Sequence, residues 1–279
     1  MELRIDSTLR LNNGVEIPRL GLGVFRAGSD KETAEAVRWA LEAGYRHIDT
    51  AAAYGNEAGV GQAIRESGLP REAVFLTTKL WNDDMRADRQ REAFEASLRR
   101  LGVEYVDLYL IHWPVKGKYV ASWQVLESLY REGRIRAIGV SNFLEHHLDD
   151  VMRVATVTPA VNQLECHPRL TQEPLKAYCA QLGIAFESWS PLGGSRDGNL
   201  TADATLAAIG KNYGKSAAQV ILRWHLQRDL IVIPKSTHRE RIRENAALFD
   251  FSLSDADMAE IGAMNRDERV GAHPDTFTF

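Results

Sequence analysis

Short apolar runs alternate with longer amphipathic stretches along almost the whole chain. The runs that read as strands are Leu20-Gly21-Leu22-Gly23, Arg46 to Asp49, Val74 to Lys79 and Val106 to His112. They continue with Ile135 to Val140, Val161 to Glu165, Ile184 to Trp189 and Leu230 to Ile233. Most are rich in apolar residues on both faces, as parallel strands covered by helices are. Helical spacing fills the intervals, for example Asp30 to Ala43, Ala87 to Leu101, Ser122 to Arg131 and Leu175 to Leu182. In the first of these, Asp30 stands where a cap is needed, and Ala34, Val37 and Leu41 form the apolar stripe. Gly44, Gly102, Gly133 and Gly183 each fall where a helix should stop. Ahead of the repeating units, Thr8 to Leu11, the turn Asn12-Asn13-Gly14, and Val15 to Ile17 read as a β-hairpin.

Eight strand–helix units over about 230 residues match the size of an α/β (β/α)8 barrel. The pattern therefore predicts one barrel domain over residues 1–279 with an N-terminal hairpin. A doubly wound sheet is the competing architecture, but it announces a dinucleotide site with G-x-G-x-x-G. Here Gly21-Leu22-Gly23-Val24-Phe25-Arg26 lacks the last glycine.

Composition narrows the setting. Hydrophobic content of 44% and charged content of 26% are those of an ordinary globular protein. A formal charge of −4 argues against general affinity for nucleic acid or an anionic membrane. The N-terminus has no apolar signal region and no run approaches a membrane span. Two cysteines, Cys166 and Cys179, make no disulfide framework. A monomer in a reducing cytoplasm is expected.

In such a barrel the working face is at the C-terminal ends of the strands. Asp49, Lys79 and His112 end the second, third and fourth strands; Ser141-Asn142, Trp189 and Lys235-Ser236 stand at the ends of later ones. Strand alternation puts Phe75, Thr77 and Lys79 on one face and Val106, Leu108, Leu110 and His112 on another. If these faces point inward, Lys79 needs a counter-charge, and Asp49 on the neighbouring strand can supply it. Tyr54 follows Asp49 by five residues. On one continuous helix the two would stand about 140° apart, so they meet only if Asp49 ends a strand and Tyr54 lies in the following loop. A free phenol, with a pKa of about 10, is a poor donor near neutral pH; a nearby ammonium lowers it. Tyr54 as acid, Lys79 and Asp49 as its tuning pair, and His112 as a donor to a substrate oxygen would polarise a carbonyl and hand it a proton. This set lacks a nucleophile, so hydride must come from a cofactor. Each residue alone also has an ordinary structural explanation; the combination is what points to chemistry.

Other constellations are weaker. Asp83-Asp84 and Asp149-Asp150 read as solvated helix starts. His146-His147 are adjacent, hence expected to point apart, with no partner at ligand spacing, and Cys166-His167 lacks a second pair; no metal is assigned. Neither G-x-S-x-G nor G-x-x-x-x-G-K-[ST] occurs. Phe25, Trp81 and Trp113 follow strand ends and suit an apolar wall around a small substrate. Trp39 and Trp224 fall in helical patterns as exterior packing.

These residues resemble the signatures of the aldo-keto reductases: Asp49-Thr50-Ala51-Ala52-Ala53-Tyr54-Gly55-Asn56-Glu57, Thr78-Lys79-Leu80-Trp81, Ile111-His112-Trp113-Pro114, Ile138-Gly139-Val140-Ser141-Asn142-Phe143 and Ile233-Pro234-Lys235-Ser236. The resemblance runs nearly end to end and is nearest the prokaryotic 2,5-diketo-D-gluconate reductases. It implies a catalytic tetrad of Asp49, Tyr54, Lys79 and His112, and NADPH bound without a Rossmann fold. Ser141, Asn142 and Gln163 would hold the nicotinamide carboxamide and Trp189 would stack on its ring, where the family often has tyrosine. Gly23, Ser190, Leu192 and Gly193 would line the cofactor, with the last three along the pyrophosphate. Lys235, Ser236, Thr237 and Arg241 would take the 2′-phosphate and adenosine, followed by Glu244 and Asn245. Lys235, Arg239, Arg241 and Arg243 do form a basic island, and a guanidinium suits a phosphate, although Arg239 and Arg243 also fit a solvated helix face. Two departures stand out. The segment from Gly193 to Asn199 is short beside the cofactor-clasping loop of aldose reductases, which implies faster cofactor exchange, and the C-terminal tail is short, which bears on substrate. The expected function is NADPH-dependent reduction of small aldehydes, ketones or keto-sugar acids. The alternatives are a Schiff-base lyase or aldolase using Lys79, and a non-catalytic cofactor-binding module.

Overall fold

The computed structural model describes residues 3–194 and 200–279. A two-stranded antiparallel hairpin, β1 (Thr8–Arg10) and β2 (Glu16–Pro18), comes first. Then follow β3 (Leu22–Gly23), α1 (Asp30–Glu42), β4 (His47–Asp49), α2 (Glu57–Glu66), β5 (Phe75–Leu80), α3 (Asn82–Arg86), α4 (Gln90–Leu101), β6 (Val106–Ile111), α5 (Tyr119–Arg131), β7 (Ile135–Ser141) and α6 (Glu145–Met152). The chain continues through β8 (Val161–Glu165), α7 (Glu173–Gln181), β9 (Ala185–Trp189), α8 (Ala204–Tyr213), α9 (Ala217–Gln227), β10 (Ile231–Val232), α10 (Arg239–Ala246) and α11 (Asp255–Gly262). Strands β3 to β10 lie side by side in chain order, all parallel. Bridges from Leu20 to Val232 and from Gly23 to Lys235 join the first strand to the last, so the sheet closes as the expected (β/α)8 barrel.

Parallel strands need buried faces on both sides, and the helices supply the outer cover. The barrel floor is closed by the hairpin: Leu11 and Ile17 pack with the inward residues Phe75, Leu108, Leu110, Ala137, Val161 and Ile231. Ile17 is fully enclosed there, a burial that contributes about 1.5–3 kcal/mol. The inward alternation read from the third and fourth strand runs is the one observed. The four glycines expected to stop helices all take positive φ just after one. Among the described residues, no helix is long and apolar enough to cross a membrane.

Several local expectations shift. Ser29, rather than Asp30, caps α1 in a reciprocal capping box with Glu32. The stripe that helix buries is Thr33, Ala36, Val37, Ala40 and Leu41, while Asp30 instead accepts the Gly59 amide at 3.0 Å. The helix expected from Ala87 begins only at Gln90, because Asp88 adopts φ 55° and separates α3 from α4. Asp149 and Asp150 fall late in α6, not at a helix start. They accept the Tyr178 and Tyr119 hydroxyls respectively, so tertiary partners outweigh the dipole preference. Helices α2 and α4 approach so closely that a Cβ at Gly61 would lie 1.8 Å from the Leu101 carbonyl oxygen.

Candidate active site

The stretch from Asp49 to Glu57 leaves the end of β4, makes one 3-10 turn over Ala52–Tyr54, and enters α2. Its polar residues hold that turn in place. Thr50 donates to Asn56 Oδ1 at 3.0 Å, and Asn56 donates to the Val24 carbonyl at 2.9 Å. Buried Glu57 accepts from Thr78 Oγ1 at 2.6 Å and from Arg100 Nε at 2.6 Å. The loop that carries Tyr54 is thereby tied to β5 and α4.

Lys79 rises from the inward face of β5 and is fully buried. Its Nζ donates to Asp49 Oδ1 at 2.6 Å and the Thr50 carbonyl at 2.9 Å, and lies 3.3 Å from Tyr54 Oη. The counter-charge demanded by a buried lysine is therefore the one expected. Burial works against the charge on Lys79, but Asp49, followed by Tyr54, raises its pKa above the ordinary value. Burial pushes the Asp49 carboxyl up against the pull of Lys79 and Gln163; at 2.6 Å the two form an ion pair. His112 follows β6, with its ring 5.7 Å from that of Tyr54 and 5.1 Å from Trp81. Burial, and then the Lys79 charge, hold its imidazole well below the usual range, so it is neutral. One expectation reverses. Burial raises the Tyr54 phenol above its usual value, and Lys79 only partly offsets this.

An apolar wall surrounds these groups. Phe25 packs 5.0 Å from Tyr54, and the C-terminal tail adds rings absent from the sequence-based set: Phe279 stacks on Trp81 at 5.9 Å, and Phe277 lies 5.1 Å from Trp113. The tail is fixed by Asn82 and Arg86, which donate to the Phe279 carbonyl at 3.1 and 2.7 Å. Glu165 also accepts the Val270 and Gly271 amides, at 2.5 and 3.0 Å. Gly271 packs so tightly that a Cβ there would come within 2.4 Å of the Trp189 ring.

Of the residues expected around a cofactor, Trp189, Asn142, Ser141 and Gln163 are joined by hydrogen bonds at the barrel mouth. Trp189 Nε1 donates to Asn142 Oδ1 at 3.0 Å, Asn142 Nδ2 donates to the His112 carbonyl at 2.9 Å, and Ser141 Oγ donates to the Gln163 carbonyl at 2.9 Å. Asn142 and Ser190 take left-handed backbone angles, φ 64° and 49°. Gly193 donates its amide to the Ser190 carbonyl, and Leu192 packs half-buried beside it. Of the segment expected to be short, residues 195–199 lie outside the described residues. Gly23 sits where β3 meets the Ile233–Lys235 segment. Beyond β10, Lys235 and Arg241 are exposed, Thr237 is half-buried, and Ser236 is buried, accepting the His238 amide at 3.1 Å. No carboxylate among the described residues pairs with Lys235 or Arg241, whereas Arg239 is taken by Glu42 at 3.1 Å. Glu244 is drawn toward α9 by the Ser216 hydroxyl, and Asn245 is buried beside it.

His146 and His147 do not point apart. Their Nε2 atoms lie 3.0 and 3.3 Å from Asp275 Oδ1 on the tail. This is not a ready metal site, because His147 Nδ1 accepts the Leu144 amide at 3.1 Å. The proton of that neutral ring is therefore on Nε2, the atom a metal would need.

One buried group was missed. Glu187, on the inward face of β9 two residues before Trp189, accepts from Gln163 Nε2 at 3.0 Å, and the same nitrogen donates to Asp49 Oδ2 at 2.7 Å. The period-two rule that placed Lys79 inward would have found it.

A phenol and a neutral imidazole thus stand with ring centres 5.7 Å apart, beside the rings of Phe25 and Trp81. The profile of the Aldo/keto reductase family matches residues 19–266. An uncharacterized oxidoreductase of Bacillus subtilis is 53% identical over 283 aligned residues, and a glyoxal reductase of the same organism is 52% identical over 279, each covering 100% of both chains. The crystal structure of MGS-M4, an aldo-keto reductase from a Medee basin deep-sea metagenome library, superposes with a TM-score of 0.94 at 44% identity, covering 97% of this chain and 100% of that one. That of a Bombyx mori aldo-keto reductase in complex with NADP gives 0.91 at 40% identity, covering 98% and 97%. The chain belongs to the aldo/keto reductase family and is an oxidoreductase.

Proposed function

We propose that this protein reduces small aldehydes, ketones and dicarbonyls with NADPH, with Tyr54 as the general acid. The observation that carries this reading is the buried line Tyr54–Lys79–Asp49 facing His112. Burial keeps the Tyr54 phenol protonated across the physiological range, so it arrives at the substrate as a donor. The Lys79 ammonium, 3.3 Å from Oη, stabilises the phenolate left after the proton has gone. Asp49 holds that ammonium charged and aimed. His112, being neutral, donates a hydrogen bond to the same carbonyl oxygen without competing for the proton.

The residues present fit a nicotinamide dinucleotide. Trp189 offers a ring at the barrel mouth, and Asn142 and Ser141 offer polar groups beside it. Gln163, with its amide nitrogen already bonded to two carboxylates, presents its carbonyl oxygen. Lys235 and Arg241, without acidic partners among the described residues, suit a phosphate monoester and favour NADPH over NADH. Such a cofactor supplies the hydride that the protein lacks.

The relative named glyoxal reductase, together with the packing of Phe277 on Trp113 and of Phe279 on Trp81, favours dicarbonyls of glyoxal size. A keto-sugar acid such as 2,5-diketo-D-gluconate is the longer candidate. The Schiff-base reading loses support because Lys79 is held as an ammonium by three acceptors. The test is a carbonyl panel (methylglyoxal, aromatic aldehydes, 2,5-diketo-D-gluconate) followed by NADPH absorbance. Turnover greatest with the small dicarbonyls is expected. A panel without NADPH consumption would overturn the reading, and borohydride trapping of substrate on Lys79 would replace it with the lyase.

A further inference from the structure

Among the described residues, the barrel interior beneath Tyr54 encloses two carboxylates, Asp49 and Glu187, and one cation, Lys79. Lys79 Nζ has three partners, Asp49 Oδ1, the Thr50 carbonyl and Tyr54 Oη, and makes no bond to Glu187. Glu187 is fully buried. One of its oxygens accepts from Gln163 Nε2 at 3.0 Å; the other, Oε1, accepts no hydrogen bond from any of the described residues. Other groups facing it do not supply the missing charge. His47 Nε2 on β4 stands 3.6 Å from Oε1 and is bonded to Thr77 Oγ1 at 3.1 Å. Burial pushes that imidazole down to about 3, so it is neutral. Gln163 on β8 is neutral, and the β10 register partner of Glu187 is Ile231. Ionising both carboxylates would leave a net negative charge and an unpaired anionic oxygen inside the barrel, which is costly. A proton on Glu187 removes both faults.

We propose that Glu187 is carried as a neutral carboxylic acid and is a positioning residue of the acid–base centre: through Gln163 it orients Asp49, and by staying neutral it leaves Asp49 and Lys79 as a one-to-one ion pair beside Tyr54. The second half rests on the reading of Tyr54 as the acid. Burial, followed by the Asp49 charge, pushes the Glu187 carboxyl up to about 8. When the proton leaves, the new negative charge raises the Tyr54 phenol further and makes it a poorer donor. Carbonyl reduction therefore falls as pH rises through that point, before Tyr54 itself titrates.

Infrared spectroscopy of the full-length protein labelled with carboxyl-13C glutamate tests the protonation directly. The wild type at neutral pH should show the C=O band of a protonated carboxyl that moves on labelling, bleaches with a midpoint near pH 8, and is missing in Glu187→Gln. No label-sensitive protonated band at neutral pH overturns the proposal, and labelled wild type alone gives that answer if the variant does not fold. The pH profile of kcat tests the action on Tyr54. The wild type should show a several-fold step near pH 8 that Glu187→Gln lacks; superimposable profiles overturn the positioning role. Because the band does not depend on which group protonates the substrate, Tyr54→Phe should keep it, so failure of the Tyr54 reading is distinguishable from failure of this one.

Discussion

Replacing Lys79 by Met removes the cation that pairs with Asp49 in the barrel interior while nearly keeping the side-chain volume. Methionine is unbranched and apolar, so the cavity contribution is small and electrostatics dominates. What remains is Asp49, 2% exposed, with a side-chain hydrogen bond from Gln163 at 2.7 Å. Three contacts of Lys79 disappear, at 2.6, 2.9 and 3.3 Å. Removing one member of a buried pair costs about 3–5 kcal/mol, which is about two to four powers of ten in the folding equilibrium. Asp49 can relieve part of this by taking up a proton, and that gives the cost a pH dependence of known sign. In the variant the folded-state pKa of Asp49 lies above its unfolded value of about 3.9. Stability is therefore greatest below that value and is lost as pH rises toward the folded pKa. Urea denaturation should show a deficit for Lys79→Met that is larger at about pH 8 than at about pH 5. The double variant Lys79→Met/Asp49→Asn should recover more than half of it, because neither charge is then buried alone. A deficit below about 1 kcal/mol, independent of pH and additive with Asp49→Asn, would refute a buried ion pair.

Other outcomes follow from single contacts. Arg241→Ala should weaken NADPH binding about tenfold or more, the size of one charged hydrogen bond, and leave NADH nearly untouched in fluorescence titrations; equal losses would remove Arg241 from the 2′-phosphate. Gly61→Ala should destabilise by about 1–3 kcal/mol or more, read as a lowered thermal midpoint, since its Cβ would meet the Leu101 carbonyl at 1.8 Å. Glu187 has a folded pKa raised to about 8 from an unfolded value of about 4.3, so its ionisation penalty grows with pH across that window. The stability of Glu187→Gln relative to wild type should rise from about pH 5 to about pH 8 in urea melts and then level off.

The barrel and its inward faces were legible because period-two alternation and short strand–helix spacing are local properties. The Lys79–Asp49 pair was legible for a different reason: an inward lysine must find an anion, and the adjacent strand carried one at the same end. What local pattern does not carry is enclosure. The direction of the Tyr54 shift depends on how much protein covers the phenol, and a reading of neighbours alone favoured Lys79 over burial. His146 and His147 meet Asp275 only because the tail returns across the barrel mouth, a contact between residues far apart in the chain. The late position of Asp149 and Asp150 in α6 likewise reflects partners on α5 and α7 rather than the helix itself. Glu187 was different: its face was readable, but an acidic residue inside a strand invites attention only once the neighbouring charges have been counted.

The most direct test of the central claim is Tyr54→Phe, assayed for NADPH binding by fluorescence and for methylglyoxal reduction by absorbance. Phenylalanine keeps the ring packed against Phe25 and His112 and removes only the hydroxyl beside Lys79. The account predicts NADPH affinity within about threefold of wild type and a loss of about 10²-fold or more in kcat, the scale of a general acid. Reduction at the wild-type rate with cofactor binding intact would contradict it.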